Sequence, residues 1–134
     1  MIINEEIYLE TREDLCNLLK KNEYKYIILK FKASWCKPCK TLEPFVNNLI
    51  KEKIKELNSK QKTNIFLYVE VDIDECNDLY SFLKSKKRLN GVPSILLYEN
   101  SIISNVEDEY KYIPQKTISG IKENEIKKLF ECIQ

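Results

Sequence analysis

Short apolar, β-prone runs alternate with amphipathic helical stretches along all 134 residues, and that alternation leaves few folds open. Residues 2–9 read as a short first strand. Thr11 then offers an N-cap with Asp14 three residues on, and Leu15, Leu18 and Leu19 form a helical stripe. Residues 26–33 are apolar and β-prone, interrupted by Lys30 and Lys32. From Cys39 onward Leu42, Val46, Leu49, Ile50 and Leu57 keep helical spacing through a long amphipathic helix. Residues 65–71 are a further strand, with Ile65, Leu67, Val69 and Val71 on one face. Leu79, Phe82 and Leu83 predict a third helix, which ends in the basic run 84–88. Strands over 94–98 and 116–119 follow, and Ile126, Leu129, Phe130 and Ile133 mark a final helix. Phe66, Tyr68, Phe82 and Phe130 read as core aromatics, and the basic run as a solvated helix end. The expected architecture is a single α/β domain over 1–134: a mixed sheet of about five strands flanked by about four helices.

Composition then removes function classes. Histidine is absent, which excludes Ser-His-Asp, Cys-His and histidine-ligated metal chemistry. Only two glycines are present, so no glycine-rich phosphate loop or dinucleotide fingerprint exists. A formal charge of +1 argues against a non-specific nucleic-acid binder. The opening residues carry neither the basic region nor the apolar stretch of a signal peptide, and no run is long enough to span a bilayer. A cytosolic or other reducing location, without membrane or nucleic-acid partners, is therefore expected, with the chain monomeric. The cysteine count of 5 fits no disulfide framework. Cys16, Cys76 and Cys132 read as ordinary small residues. Cys36 and Cys39 differ, because C-x-x-C spacing brings two sulfurs together on one helical turn. Zinc requires four ligands, and neither a histidine nor a second C-x-x-C is there to complete them, so no metal and no cofactor are expected.

The chemistry sits where the second strand turns into the long helix, at Ala33-Ser34-Trp35-Cys36-Lys37-Pro38-Cys39-Lys40. A helix N-terminus presents unpaired N–H groups and a partial positive charge, which favour a thiolate at Cys36. Lys37 adds a nearby cation, and Pro38 has no N–H to lose in the first turn. Cys39, one turn in, is aimed back at Cys36. The pattern reads as Cys36 attacking a substrate disulfide and Cys39 displacing the reduced product.

These residues resemble the thioredoxin family. Trp35-Cys36-Lys37-Pro38-Cys39-Lys40 is similar to the family's active-site hexad, with lysine in place of the usual glycine. Pro44 matches the proline inside the active-site helix, and Val71-Asp72-Ile73-Asp74 the exit of the third strand. Gly91-Val92-Pro93-Ser94 matches the loop that holds a cis-proline opposite the cysteines, and Gly120 a glycine beside the substrate groove. The resemblance implies the thioredoxin fold, a redox-active Cys36–Cys39 disulfide, a cis Val92–Pro93 bond, and a substrate groove formed by Trp35, Lys37, Pro38, Gly91, Val92, Pro93 and Gly120. It also implies disulfide-containing protein substrates and a thioredoxin-reductase-like electron donor, giving a dithiol–disulfide oxidoreductase that works as a protein-disulfide reductase. The alternative is a thioredoxin-fold interaction module that uses the same groove without turnover.

Three features depart from the family pattern. The active-site helix runs on through residues 51–62, and the connection between the last two strands is enlarged by residues 101–115. The family's buried aspartate, six residues before the first active-site cysteine, is here Lys30. Glu70 stands where many members set a lysine on the neighbouring strand, so Lys30 and Glu70 look like the family's pair with its charges exchanged. On that reading Glu70 is the proton acceptor for Cys39, directly or through a water; the alternative is that Lys30 snorkels to the sheet edge and Glu70 is solvated.

Overall fold

The protein is described by a computed structural model covering residues 2–3 and 7–134. Five strands form one mixed sheet in the order β1-β3-β2-β4-β5. They are β1 (Ile2–Ile3), β2 (Tyr26–Lys32), β3 (Phe66–Asp72), β4 (Ser94–Glu99) and β5 (Lys116–Ser119). The pairs β1–β3 and β2–β3 are parallel, whereas β4 runs antiparallel to both β2 and β5. The helices are α1 (Arg12–Lys21), α2 (Lys37–Ser59), α3 (Asn77–Ser85), the short α4 (Asn100–Ile103) and α5 (Glu123–Glu131). Among the described residues no helix is long and apolar enough to cross a membrane.

The central strands β2, β3 and β4 are buried on both faces, so they read as continuous apolar runs rather than alternating ones. On one face Leu29, Phe31, Leu67, Val69 and Leu96 pack with Leu15 and Leu19 of α1 and with Leu79 and Leu83 of α3. On the other, Ile28, Phe66, Tyr68, Ile95 and Leu97 pack with Leu42, Val46 and Ile50 of α2 and with Ile126, Leu129 and Phe130 of α5. Of the expected core aromatics, Phe66, Tyr68 and Phe130 are buried on the α2 side, while the half-buried Phe82 packs on the α1–α3 side.

Local signals fix the helix ends. Thr11 forms a full capping box: its side chain accepts from the Asp14 N–H, and Asp14 Oδ2 accepts from the Thr11 N–H. Lys53 in α2 is buried, and its Nζ donates to the Ile133 carbonyl at 2.9 Å, tying the long helix to the C-terminal segment.

The first strand is shorter than expected. Strand pairing covers Ile2–Ile3, residues 4–6 lie outside the described residues, and residues 7–10 are not strand. Leu9 is buried in the core instead, and the Glu10 carbonyl accepts from the Leu79 N–H, which ties this stretch to α3 rather than to the sheet. The enlarged 101–115 connection also has structure of its own, α4 followed by a 3-10 turn over Asp108–Tyr110, which brings the α-helices among the described residues to five. Lys111 organises it: buried, it donates from Nζ to the carbonyls of Ile103 (2.8 Å) and Val106 (2.9 Å).

Candidate active site

β2 ends at Lys32, and Cys36 is the N-cap of α2, with Lys37 and Pro38 opening the helix. A capping residue accepts from the first turn, and Cys36 Sγ accepts from the Cys39 N–H at 3.2 Å. Proline loses nothing there, since the first-turn N–H groups have no helical partner. Cys36 and Cys39 are joined in a disulfide, their Cα atoms 5.3 Å apart. Both cysteines are only 4% exposed, whereas Trp35 beside them is 66% exposed. The indole is held in place by its Nε1–H, which donates to Asp74 Oδ2 at 2.9 Å. In the sequence Asp74 stands only as part of the third-strand exit; its role as the anchor of Trp35 depends on tertiary packing across the loop after β3.

The turn before β4 carries the second set of expected site residues. The Val92–Pro93 bond is cis, and Gly91 takes φ +80°, a conformation that favours glycine. Gly120, at φ +86°, donates its N–H to the Pro93 carbonyl at 2.8 Å and fastens the end of β5 to that turn. The Ser94 hydroxyl donates to the Gly91 carbonyl at 2.8 Å and lies 3.0 Å from the Ser119 hydroxyl. Val92 packs against the same apolar cluster as Cys36 and Cys39, whose disulfide is the one the family resemblance implies.

Behind Cys39 lies a cavity of about 130 Å³ lined by Lys30, Lys32, Ala33, Ser34, Cys39, Lys40, Glu43 and Asp72. Lys30 is 1% exposed, and burial pushes its ammonium below the usual lysine range, against the opposing pull of Glu70 and Glu43. The expected Lys30–Glu70 pair needs correction. The register does set the two side by side, but Glu70 forms its ion pair with Lys32, at 2.9 Å. Lys32 is two residues further along the same face and sits at the open end of the strand, where both partners keep water, whereas Lys30 is covered by the long helix. That bond raises the Lys32 pKa. Glu70 therefore acts on Lys30 through space and is not on the wall of the Cys39 cavity. The carboxylates that do line it are Glu43 and Asp72. Glu43 follows Cys39 by four residues on α2, a spacing that places both on one helix face and was available in the sequence.

The Thioredoxin family profile matches residues 7–123. The chain belongs to the thioredoxin family. Among curated relatives it is 30% identical to a thioredoxin of Echinococcus granulosus over 76 residues, 57% of this chain and 58% of the relative. It is 23% identical to a thioredoxin of Mycoplasmoides gallisepticum over 124 residues, 92% of this chain and 98% of the relative. Its alignment thus spans little more than half of the first relative and nearly all of the second. Among solved structures, reduced Schistosoma mansoni thioredoxin superposes with a TM-score of 0.61 at 22% identity, covering 100% of both chains, which supports the fold. The Cys36–Cys39 disulfide is the group at this site that thiol–disulfide exchange can use.

Proposed function

We propose that this member of the thioredoxin family is a protein-disulfide reductase of the cytosol or another reducing compartment, acting as a monomer, with Cys36 as the attacking thiolate and Cys39 as the resolving thiol. One observation carries the reading: Cys36 caps α2 beside the exposed Trp35, with Cys39 one turn behind it and bonded to it. In the dithiol form the Cys36 thiolate attacks one sulfur of a substrate disulfide, and the other sulfur leaves as a thiolate and takes up a proton. Cys39 then loses its proton and attacks Cys36 Sγ. The second substrate thiol is released and the protein is left as the disulfide. A dithiol donor of the thioredoxin-reductase type returns the two electrons. The proton of Cys39 leaves through the cavity behind it, where Lys30, Glu43 and Asp72 set the local field. The backbone of Val92 pairs with the substrate as an edge strand does. The free cysteines Cys16, Cys76 and Cys132 support a reducing compartment, where thiols persist.

Electron flow follows from the residues between the cysteines. A histidine there stabilises the reduced form strongly; Lys37 is a mobile, hydrated cation and does so weakly. The expected reduction potential is within about 30 mV of −260 mV, measured by equilibration against a dithiothreitol or glutathione buffer. Catalytic amounts of the protein should accelerate the reduction of insulin by dithiothreitol. A potential above roughly −210 mV, or no acceleration over blank, contradicts a reductase.

A further inference from the structure

A second concavity, of about 550 Å³, lies between the end of α3, the turn before β4 and β5, lined by Lys84, Lys87, Arg88, Leu89, Asn90, Pro114, Thr117 and Ser119. No acidic residue lines it. Among the described residues none of its three cations has a carboxylate within ion-pair distance. Lys84 instead sits over the Tyr80 ring, and Arg88 Nε is buried without a hydrogen-bond partner. In a chain of net charge +1 this is a local concentration of positive charge, not an overall excess.

The backbone holds these cations together. After α3 the Lys87 N–H donates to the Lys84 carbonyl and the Arg88 N–H to the Leu83 carbonyl, a Schellman ending. Lys87 occupies the left-handed position of that motif, at φ +59°, where glycine is the favoured residue. The Thr117 hydroxyl donates to the Arg88 carbonyl at 3.1 Å and fixes the turn against β5. The lining of the cavity adjoins the cis-proline turn along the chain. Leu89 and Asn90 lead directly into Gly91, Val92 and Pro93, and Ser119 precedes Gly120.

We propose that this cavity binds acidic side chains that flank the disulfide of a protein substrate, which makes the reductase selective for disulfides with nearby glutamate or aspartate. The inference rests on the reductase reading above. An extended substrate segment paired along Val92 advances about 3.3 Å per residue, so carboxylates within a few residues of the attacked sulfur reach Asn90 and the cavity. The Arg88 guanidinium offers the planar donor set that carboxylates accept, and the two lysines supply mobile charge around it.

The test uses two peptides, each with one internal disulfide, identical except for Glu-Glu-Glu or Gln-Gln-Gln beside one cysteine. The reduced protein should reduce the Glu peptide at least about fivefold faster at low ionic strength, with the preference collapsing near 0.5 M salt. Lys84→Gln/Lys87→Gln should bring the Glu peptide down to the rate of the Gln peptide. Lys86→Gln/Lys127→Gln removes the same charge outside the cavity and should keep the preference. Equal rates for the two peptides, or equal loss of preference in both double variants, overturns the proposal. If neither peptide is reduced, the reductase reading fails separately. The cavity is then judged by fluorescence-anisotropy titration of the oxidised protein with the same sequences carrying Ser for Cys. Tighter binding of the Glu peptide, lost only in Lys84→Gln/Lys87→Gln, supports the site, and equal binding rejects it.

Discussion

Cys36→Ser should reduce insulin no faster than the uncatalysed blank, a loss of roughly a thousandfold or more. The serine oxygen can still cap α2, because Sγ at this position accepts from the Cys39 N–H and a hydroxyl accepts equally well. The helix and the groove therefore survive the change. What disappears is the nucleophile: an alkoxide is not accessible at neutral pH, and the thiolate favoured by the helix N-terminus has no oxygen counterpart. Circular dichroism should show an unchanged fold while turnover vanishes. Retention of even a tenth of the activity would place the attacking group elsewhere.

Lys30→Met should stabilise the protein by about 1–2 kcal/mol at neutral pH while slowing turnover. Lys30 is 1% exposed on a central strand, and the carboxylate opposite it is bonded to Lys32. Its ammonium is therefore desolvated without an ion-pair partner among the described residues, and burial lowers its pKa despite the fields of Glu70 and Glu43. Between that lowered value and the ordinary 10.5, the unfolded chain holds a proton that the folded protein has released. The stability of the parent protein, relative to Lys30→Met, therefore rises with pH across this window, and the advantage of the variant shrinks. Urea unfolding of both proteins at pH 7, 9 and about 10.5 reads this directly. A destabilised variant at pH 7, or a gap that does not change with pH, would show that Lys30 is well paired. The slower turnover is expected because methionine removes the cation from the cavity into which Cys39 gives up its proton.

The features legible in the sequence are those written in local chemistry. Thr11 and Asp14 state the start of α1, and the stripe from Leu42 to Leu57 states most of α2. The two glycines both occupy left-handed positions at the edge of the active site, where few other residues are comfortable. Local pattern and structure part where tertiary contacts decide. Leu9 satisfies a strand pattern but is taken into the core. The 101–115 connection has little periodicity, and its form depends on one buried lysine, Lys111, reaching two carbonyls. Lys30 and Lys32 lie on the same face of β2, and both are near enough to compete for Glu70. Solvent access at the strand end decides between them, and period-2 patterning contains no information about that.

The division of labour between the two cysteines is tested most directly by trapping. In a background of Cys16→Ser/Cys132→Ser, which removes the less buried free thiols, Cys39→Ser leaves Cys36 able to attack but without a resolving thiol. After incubation with a disulfide-bearing protein, tryptic mapping by mass spectrometry should find a stable mixed disulfide at Cys36, and Cys36→Ser in the same background should yield little. Accumulation of the mixed disulfide at Cys39 in the Cys36→Ser protein, exceeding that at Cys36 in the Cys39→Ser protein, would contradict the assignment.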